Sequence, residues 1–353
     1  MATVVIFGAG VMGSATAFPL TNNGHQVRLV GTHLDGGIVE EVKQRRFHPS
    51  LKRTLPEGVT AFEHSDLGEA LDGADFVVSG VNSYGVHWAA ERLATVLERP
   101  IPIIAITKGL DSDENGELVS LTTAYEQTLR AAGGPECSVA GVGGPCIAGE
   151  LAARRQSCVV FGAPAMQLAE WFASFFGTRY YHIRPTEKLL ALEITAALKN
   201  AYTLSVAIAT GFATRPENED SVGAQMHNLA AAVFGQAVSE IAYVLRAFGQ
   251  DESFAASLPG AGDYYVTCAG GRNMRFGRLM GAGMTKQQAL KEMDGVTIES
   301  LSIIGAMARA LPKLYARSVL EKQHMPLMEH LIHTVDTGEA EPFPVARFRA
   351  GIT

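Results

Sequence analysis

The stretch TVVIFGAGVMG, Thr3–Gly13, decides the fold of this chain. Its first part, Thr3–Phe7, is apolar and rich in β-branched side chains, which predicts a buried strand. The glycines that follow are spaced G-x-G-x-x-G, and a helical pattern then continues to about Asn23. A strand, this glycine spacing and a helix in that order are typical of the turn that binds the pyrophosphate of a dinucleotide.

Each glycine of the turn has a predicted task. Gly8 allows the tight turn, Gly10 lets the backbone approach the pyrophosphate, and Gly13 lets the helix pack closely on the strand. The N–H groups that open the helix, at Val11 and Met12, would then face the phosphates. A glycine turn without a ligand is the alternative, but both flanking elements favour the dinucleotide site.

The end of the second predicted strand, Gln26–Val30, bears on the choice of cofactor. An NAD-specific site carries an acidic residue there for the ribose 2′-hydroxyl, whereas this chain has GTH at positions 31–33. Without that carboxylate a 2′-phosphate is not repelled, and His33 or the pair Lys52 and Arg53 could attract one. The sequence therefore favours NADP(H), with NAD(H) possible, and leaves open that both basic residues are ordinary solvated charges.

Strand-like and helix-like runs alternate through the first half of the chain. This βαβ alternation predicts a mostly parallel sheet covered on both faces. After Pro185 the pattern changes to long helices, so the fold class is α/β: a doubly wound Rossmann domain followed by an all-α domain. We predict an NAD(P)-binding domain at residues 1–184, a helical substrate and catalytic domain at 185–339, and an irregular tail at 340–353.

The composition argues against several classes of function. The chain has 353 residues and a net charge of −7, which disfavours a nucleic-acid or anionic-membrane surface. Its four cysteines lack the spacing of a metal site, so reduced thiols and no metal are predicted. No apolar run predicts a membrane span and no signal peptide is visible, which indicates a soluble cytoplasmic protein.

A second informative stretch, Leu192–Thr203, predicts a helix that is apolar on nearly every side. Lys199 is the exception, and it shares one face with Thr195 and Thr203 at i, i+4 and i+8. Burial lowers the pKa of a lysine toward the range useful for proton transfer, so Lys199 is a candidate catalytic group. The alternative is a lysine whose stem covers apolar neighbours while its ammonium reaches water.

Two further stretches carry polar groups suited to a ligand. Lys108 directly follows a predicted buried strand, and the carboxyl ends of parallel strands line the ligand crevice. Between glycine clusters later in the chain, Arg272 and Asn273 could hold a phosphate, since a guanidinium binds phosphate oxygens in a bidentate way. Taken singly, Asp263 could merely cap a helix and Arg272 could pair with a carboxylate.

These motifs resemble those of the soluble, bacterial-type NAD(P)-dependent glycerol-3-phosphate dehydrogenases, which interconvert glycerol 3-phosphate and dihydroxyacetone phosphate. The resemblance runs from Val4 to about Gly338 and so covers nearly the whole chain. It is carried by the opening glycine turn, TKGL at 107–110, GPCIAGE at 144–150, ALKN at 197–200 and the segment from Gly262 to Asn273. The last two motifs are specific to the family.

The resemblance implies a role for each motif residue. Lys199 would be the general acid during reduction and the base in reverse. Lys108 would flank the substrate oxygens, and Asp263 would hydrogen-bond and orient either Lys199 or the hydroxyls. The implied catalytic residues are thus Lys199, Lys108 and Asp263; the substrate-binding residues are Asn200, Thr267, Arg272, Asn273 and Gly144; and the cofactor-binding residues are Gly8, Gly10, Val11, Met12, Gly13, Thr32, His33, Lys108, Ala148, Arg272 and Asp294.

Some positions depart from the family pattern. Asn82 stands where the family has proline, Cys146 where it has Ser, Thr or Asn, Ala230 where it has a basic residue, and Asp294 where it has glutamate. The reaction class is expected to survive, whereas the substrate could be another phosphorylated polyol or ketose, or a 2-keto acid. A nucleotide-binding homologue without turnover is the alternative from another class. We expect a homodimer, since the helical domain has many apolar faces.

Overall fold

The computed structural model describes residues 1–112, 117–218 and 220–349, and these form two compact units. The first unit contains Met1–Lys108 and Ser120–Glu193. The second contains the described residues of Gly109–Val119 together with those from Ile194 onward.

The first unit is built on one eight-stranded sheet with the strand order β12-β11-β10-β7-β6-β1-β2-β5. Every neighbouring pair is parallel except β10 and β11. Two further sheets of two strands each, β3–β4 and β8–β9, lie outside this sheet. In chain order the strands are β1 (Thr3–Phe7), β2 (Gln26–Val30), β3 (Phe47–His48), β4 (Arg53–Thr54), β5 (Val59–Phe62), β6 (Phe76–Ser79), β7 (Ile103–Ala105), β8 (Leu110–Ser112), β9 (Leu118–Ser120), β10 (Val139–Gly143), β11 (Ser157–Gly162) and β12 (Tyr181–Thr186).

Helices cover the sheet and make up most of the second unit. They are α1 (Val11–Asn22), α2 (Gly36–Arg45), α3 (Leu67–Leu71), α4 (Val86–Ala94), α5 (Leu121–Ala131), α6 (Ala148–Ala152), α7 (Met166–Phe176), α8 (Leu189–Gly211), α9 (His227–Ala247), α10 (Asp263–Cys268), α11 (Arg272–Gly281), α12 (Lys286–Glu292), α13 (Glu299–Ala316) and α14 (Pro326–Thr337).

The central strand β1 is buried on both faces. Val4 and Ile6 pack into one apolar core, and Val5 and Phe7 pack into a second core on the opposite face. Each buried side chain of this size contributes about 1.5–3 kcal/mol, so the strand is held firmly from both sides. This is the burial that a parallel sheet requires, and the predicted α/β fold class is confirmed.

A buried carboxylate ties together the helices around α8 in the second unit. Glu240 on α9 accepts a hydrogen bond from the Tyr202 hydroxyl of α8 at 2.6 Å. It also accepts from the backbone N–H groups of Leu327 and Met328, at 2.7 and 2.9 Å, in the first turn of α14. The Tyr264 hydroxyl of α10 donates to the Tyr202 carbonyl oxygen at 2.9 Å. Burial raises the pKa of Glu240 to about 7, although these donors favour the charged form.

The two compact units divide the chain at other positions than Arg184, and the domain boundaries at Arg184 and Ala340 stay predictions. The change of unit falls after Glu193, inside α8, because the first five residues of that helix pack with the sheet unit. The paired strands β8 and β9 belong to the second unit, where Arg317, directly after α13, forms a bidentate pair with Glu117 at 2.8 Å. Residues 340–349 contain a single helical turn, Val345–Arg347, and residues 350–353 of the predicted tail lie outside the described residues.

Among the described residues, one helix, α9, is long and apolar enough to cross a membrane by length and composition alone, whereas the sequence analysis predicted no such run. Core helices of soluble proteins share this property. Within the protein, 44% of its most apolar window is buried, and α9 carries the charged Glu240 and Arg246.

Candidate active site

The glycine turn after β1 is packed tightly on one side and open on the other. Gly8 has φ +113°, and a Cβ atom added to it would lie 2.7 Å from the carbonyl carbon of Gly80. A Cβ on Gly13 would lie 2.5 Å from the Gly8 carbonyl oxygen. At Gly10 the nearest atom to an added Cβ, the Gly80 oxygen, is 3.8 Å away. Gly8 and Gly13 therefore permit close packing, while Gly10 leaves space beside the backbone.

The start of α1 suits an anionic group. The helix opens at Val11 and Met12, and its first turn contains no acidic residue. Among the described residues, no side chain caps this end of the helix. Its N–H groups and the positive end of the helix dipole are thus available to a phosphate. The open space at Gly10 and this uncapped helix end fit the pyrophosphate of a dinucleotide.

Asp35, which the sequence analysis did not single out, lies beside the predicted cofactor turn. Its Oδ2 accepts hydrogen bonds from the Thr32 backbone N–H and hydroxyl, both at 2.8 Å, and from the Ala9 N–H at 3.1 Å. A carboxylate that follows β2 therefore lies beside the glycine turn, although the stretch at positions 31–33 contains none. Asp35 was not predicted because it lies five residues beyond the end of β2. The exposed His33 ring packs edge-on against Trp88, with ring centroids 4.9 Å apart.

The carbonyl side of Ala9 is held by a buried histidine. His48 Nδ1 accepts from the Leu51 N–H at 3.0 Å, so its Nε2–H donates to the Ala9 oxygen at 2.9 Å. Burial lowers the pKa of His48, which favours this neutral form. Lys52 and Arg53, the predicted attractors of a 2′-phosphate, are exposed in the turn and strand that follow.

Lys108 and Gly144 meet at the carboxyl edge of the sheet. The Lys108 ammonium donates to the Gly144 carbonyl oxygen at 3.3 Å. Gly144 has φ +118°, and a Cβ there would lie 3.0 Å from Val159 Cα, so the position is suited to glycine. Ala148, a predicted cofactor contact, is the first residue of α6.

In the second unit, Lys199 forms a buried ion pair with Asp263. The Lys199 Nζ lies 3.0 Å from the Asp263 Oδ1, and the two side chains are only 4% and 3% exposed. The same ammonium donates to the Thr267 hydroxyl oxygen at 2.8 Å, and that hydroxyl donates to the Asp263 carbonyl oxygen at 2.6 Å. Thr267, predicted to bind phosphate, thus contacts the lysine. Burial raises the pKa of the nearby Cys268 thiol to about 12.

Glu299, another residue missed from the sequence, joins two of the predicted substrate contacts. Its Oε1 accepts from Arg272 Nη2 at 3.0 Å, and its Oε2 accepts a longer hydrogen bond from Asn200 Nδ2 at 3.4 Å. Asn273 Oδ1 accepts from the Ser300 N–H at 3.3 Å, so it caps the start of α13. Arg272 therefore does pair with a carboxylate, the alternative that the sequence left open.

Two further positions, Asp294 and Asn82, lie in turns that precede or follow helices. Asp294, a predicted cofactor contact, is solvent-exposed in the turn after α12. Asn82 accepts a hydrogen bond from the Gly85 N–H at 3.0 Å and caps the turn before α4, which accounts for an amide at this position.

An open glycine turn on a parallel sheet, together with a buried lysine–aspartate pair in a helical unit, defines the class of protein: a dinucleotide-dependent dehydrogenase. The family model for the N-terminus of NAD-dependent glycerol-3-phosphate dehydrogenase matches residues 3–169. The model for the C-terminus of the same enzymes matches residues 189–342. The chain belongs to the NAD-dependent glycerol-3-phosphate dehydrogenase family, as its motifs predicted.

Named relatives agree with this membership. The NADP(+)-dependent glycerol-3-phosphate dehydrogenase of Archaeoglobus fulgidus is 34% identical over 82% of this chain and 83% of its own length. The glycerol-3-phosphate dehydrogenase [NAD(P)+] of Geobacillus thermodenitrificans is 28% identical over 96% and 92%. Among solved structures, glycerol-3-phosphate dehydrogenase from Coxiella burnetii has the same fold, with a TM-score of 0.76, 23% identity and coverage of 95% and 94%.

The geometry of the turn predicts that two alanine substitutions affect different properties, the stability of the protein in one case and cofactor binding in the other. Gly8→Ala should lower the free energy of unfolding by about 1–3 kcal/mol, because φ is positive and the new Cβ meets Gly80. Gly10→Ala should leave the unfolding temperature of the cofactor-free protein near that of the wild type. It should instead weaken cofactor binding about tenfold (~1.4 kcal/mol) by filling the open space.

Differential scanning calorimetry without cofactor and titration calorimetry with cofactor measure the two effects separately. An equal loss of stability in both variants, or cofactor affinity at Gly10→Ala equal to that of the wild type, would contradict the assignment of the open side to the ligand.

Proposed function

We propose that this protein interconverts dihydroxyacetone phosphate and sn-glycerol 3-phosphate by hydride transfer with a nicotinamide cofactor. The observation that carries the proposal is the Lys199 ammonium, which is buried with Asp263 and Thr267 in a family whose members are named for this reaction. The first unit would bind the cofactor and the second the substrate. The same chemistry on another phosphorylated ketose or polyol is the second candidate, because Asn82, Cys146 and Ala230 depart from the family pattern.

Lys199 would act as the general acid of the reduction. The bound cofactor supplies the hydride to the carbonyl carbon. As negative charge develops on the carbonyl oxygen, Lys199 Nζ transfers a proton to it and is left as a neutral amine, which water reprotonates. In the oxidation direction the neutral amine takes the proton of the hydroxyl. Asp263 and Thr267 fix the position of Nζ, and a positioned acid contributes about 10²–10⁴ in rate.

The remaining predicted contacts would hold the substrate. Arg272 and Asn273 would bind its phosphate, Asn200 would donate to it from α8, and Lys108 would flank the reacting oxygens. A guanidinium and an amide supply N–H donors that match phosphate oxygens. Gly144 would supply backbone beside Lys108, to which it is hydrogen-bonded.

Substitution of Lys199 by methionine tests the proposed acid. Lys199→Met should lower kcat for dihydroxyacetone phosphate by about 10²–10⁴, because the proton donor is lost while the stem volume is kept. The variant also leaves the Asp263 carboxylate buried without its cation, which costs about 3–5 kcal/mol of stability. Circular dichroism and the unfolding temperature must therefore accompany the steady-state assay.

Lys313→Met is the matched control, since Lys313 is an exposed lysine on α13 of the same unit. It should keep wild-type kcat and KM. A folded Lys199→Met variant with near-normal kcat would refute the general-acid assignment.

We further propose that NADP(H) is the preferred cofactor and that NAD(H) is also accepted. The Archaeoglobus fulgidus relative is named NADP(+)-dependent, and the Geobacillus thermodenitrificans relative is named for both cofactors. The Asp35 carboxylate acts against a 2′-phosphate, but three donors from Thr32 and Ala9 compensate its charge.

The Asp35→Asn variant tests the balance between the two cofactors. Asparagine keeps an acceptor oxygen for Thr32 and Ala9 but removes the charge. The ratio of kcat/KM with NADPH to that with NADH should rise about 3- to 10-fold, the size expected for one partly screened charge. A ratio that stays the same or falls would show that Asp35 does not oppose the 2′-phosphate.

We propose that the protein is a soluble homodimer of the cytoplasm. No disulfide joins cysteines in the described part of the chain, which suits a reducing compartment. More than half of the apolar window of α9 is not buried within its own chain, which leaves a face that a second copy could cover. Light scattering should give twice the chain mass of 37.6 kDa, and a monomer mass at micromolar concentration would refute the dimer.

A further inference from the structure

The Glu299 carboxylate occupies the donors on which phosphate recognition would depend. It accepts from Arg272 Nη2 at 3.0 Å and from Asn200 Nδ2 at 3.4 Å. Asn200 is 4% exposed, whereas the Arg272 side chain is 53% exposed and can change its partner. The carboxylate therefore stands between a buried amide and a movable guanidinium.

Two features hold Glu299 in this place. It is the first residue of α13, where the positive end of the helix dipole stabilises a carboxylate. The next residue, Ser300, is anchored through its N–H to Asn273 Oδ1 at 3.3 Å. The start of α13 is thus fixed against the same pair, Arg272 and Asn273, that would bind the phosphate.

The charges in this part of the second unit cancel in pairs. Lys199 is paired with Asp263, and Arg272 is paired with Glu299. A carboxylate and a phosphate use the same N–H donors of a guanidinium, so each binds at the expense of the other. Their like charges also repel each other at close range.

We propose that Glu299 is a specificity-determining residue that competes with the substrate phosphate for Arg272 and Asn200. The inference rests on the proposed function, because it concerns the phosphate of that substrate. Glu299 weakens the binding of phosphorylated substrates and of free phosphate without taking part in proton or hydride transfer. It thereby sets a higher KM than Arg272 and Asn200 would give with an uncharged neighbour.

The Glu299→Gln variant measures this competition directly. Removal of the charge should lower KM for dihydroxyacetone phosphate and the inhibition constant of inorganic phosphate by 3- to 10-fold each, with kcat changed less than twofold. Glu299→Asp keeps the charge and should stay close to the wild type. Glu292→Gln, at an exposed carboxylate of α12, is the matched control and should change neither constant.

A purely structural role for Glu299 predicts a different pattern, in which both variants lose stability and kcat and KM worsen together. That pattern, or an unchanged or raised inhibition constant of phosphate in Glu299→Gln, overturns the proposal. If Glu299→Gln does not fold, Glu299→Ala replaces it with the same expected fall in both constants.

Phosphate affinity measured by calorimetry, without turnover, separates this proposal from the proposed function. The Arg272→Ala variant should weaken phosphate binding at least tenfold, which locates the anion at this guanidinium. Tighter phosphate binding in Glu299→Gln, in a protein that does not reduce dihydroxyacetone phosphate, would refute the substrate and uphold the role of Glu299. Normal turnover of dihydroxyacetone phosphate by the wild type, with unchanged phosphate affinity in Glu299→Gln, would uphold the substrate and refute the role of Glu299.

Discussion

The buried ion pair between Lys199 and Asp263 is the interaction on which the proposed chemistry of the second unit depends. An ammonium and a carboxylate that are 4% and 3% exposed lose most of their hydration, and the close contact between them offsets that loss only when the geometry is held. Such a pair adds little net stability compared with apolar side chains of similar volume. Its presence in an otherwise apolar helix is therefore better explained by chemistry than by stability.

The surrounding helices hold this geometry through close backbone packing. A Cβ on Gly277 would lie 2.4 Å from the Ala207 Cβ, and one on Gly281 would lie 2.3 Å from the Ile208 oxygen. These two glycines let α11 pack directly on the backbone of α8. Because α11 begins at Arg272, the contact fixes the guanidinium stem relative to the helix that carries Lys199. Glu240, buried against Tyr202, fixes the opposite side of α8.

The features that could be predicted from the sequence are those that a local period or spacing of residues determines. The strands of the sheet, the glycine turn and the lysine in an apolar helix each have a period or spacing that identifies them. The contact between Arg317 and Glu117, which are 200 residues apart, has no local pattern that could predict it. Asp35 and Glu299 read as ordinary acidic residues near the start of helices. Only the fold shows that their side chains turn toward Ala9 and Arg272.

The two carboxylates missed by the sequence share a physical consequence. Asp35 lies beside the turn predicted to bind the cofactor, and Glu299 lies at the guanidinium predicted to bind the substrate phosphate. Each places a negative charge beside a positive group, the N-terminal end of α1 or the Arg272 guanidinium, that would otherwise attract an anion. We infer that recognition in this protein relies more on directed N–H donors, at the start of α1 and on Arg272, than on net charge. Selectivity gained in this way depends on geometry, and hydrogen-bonded contacts that exclude water are screened by salt much less than a diffuse positive surface.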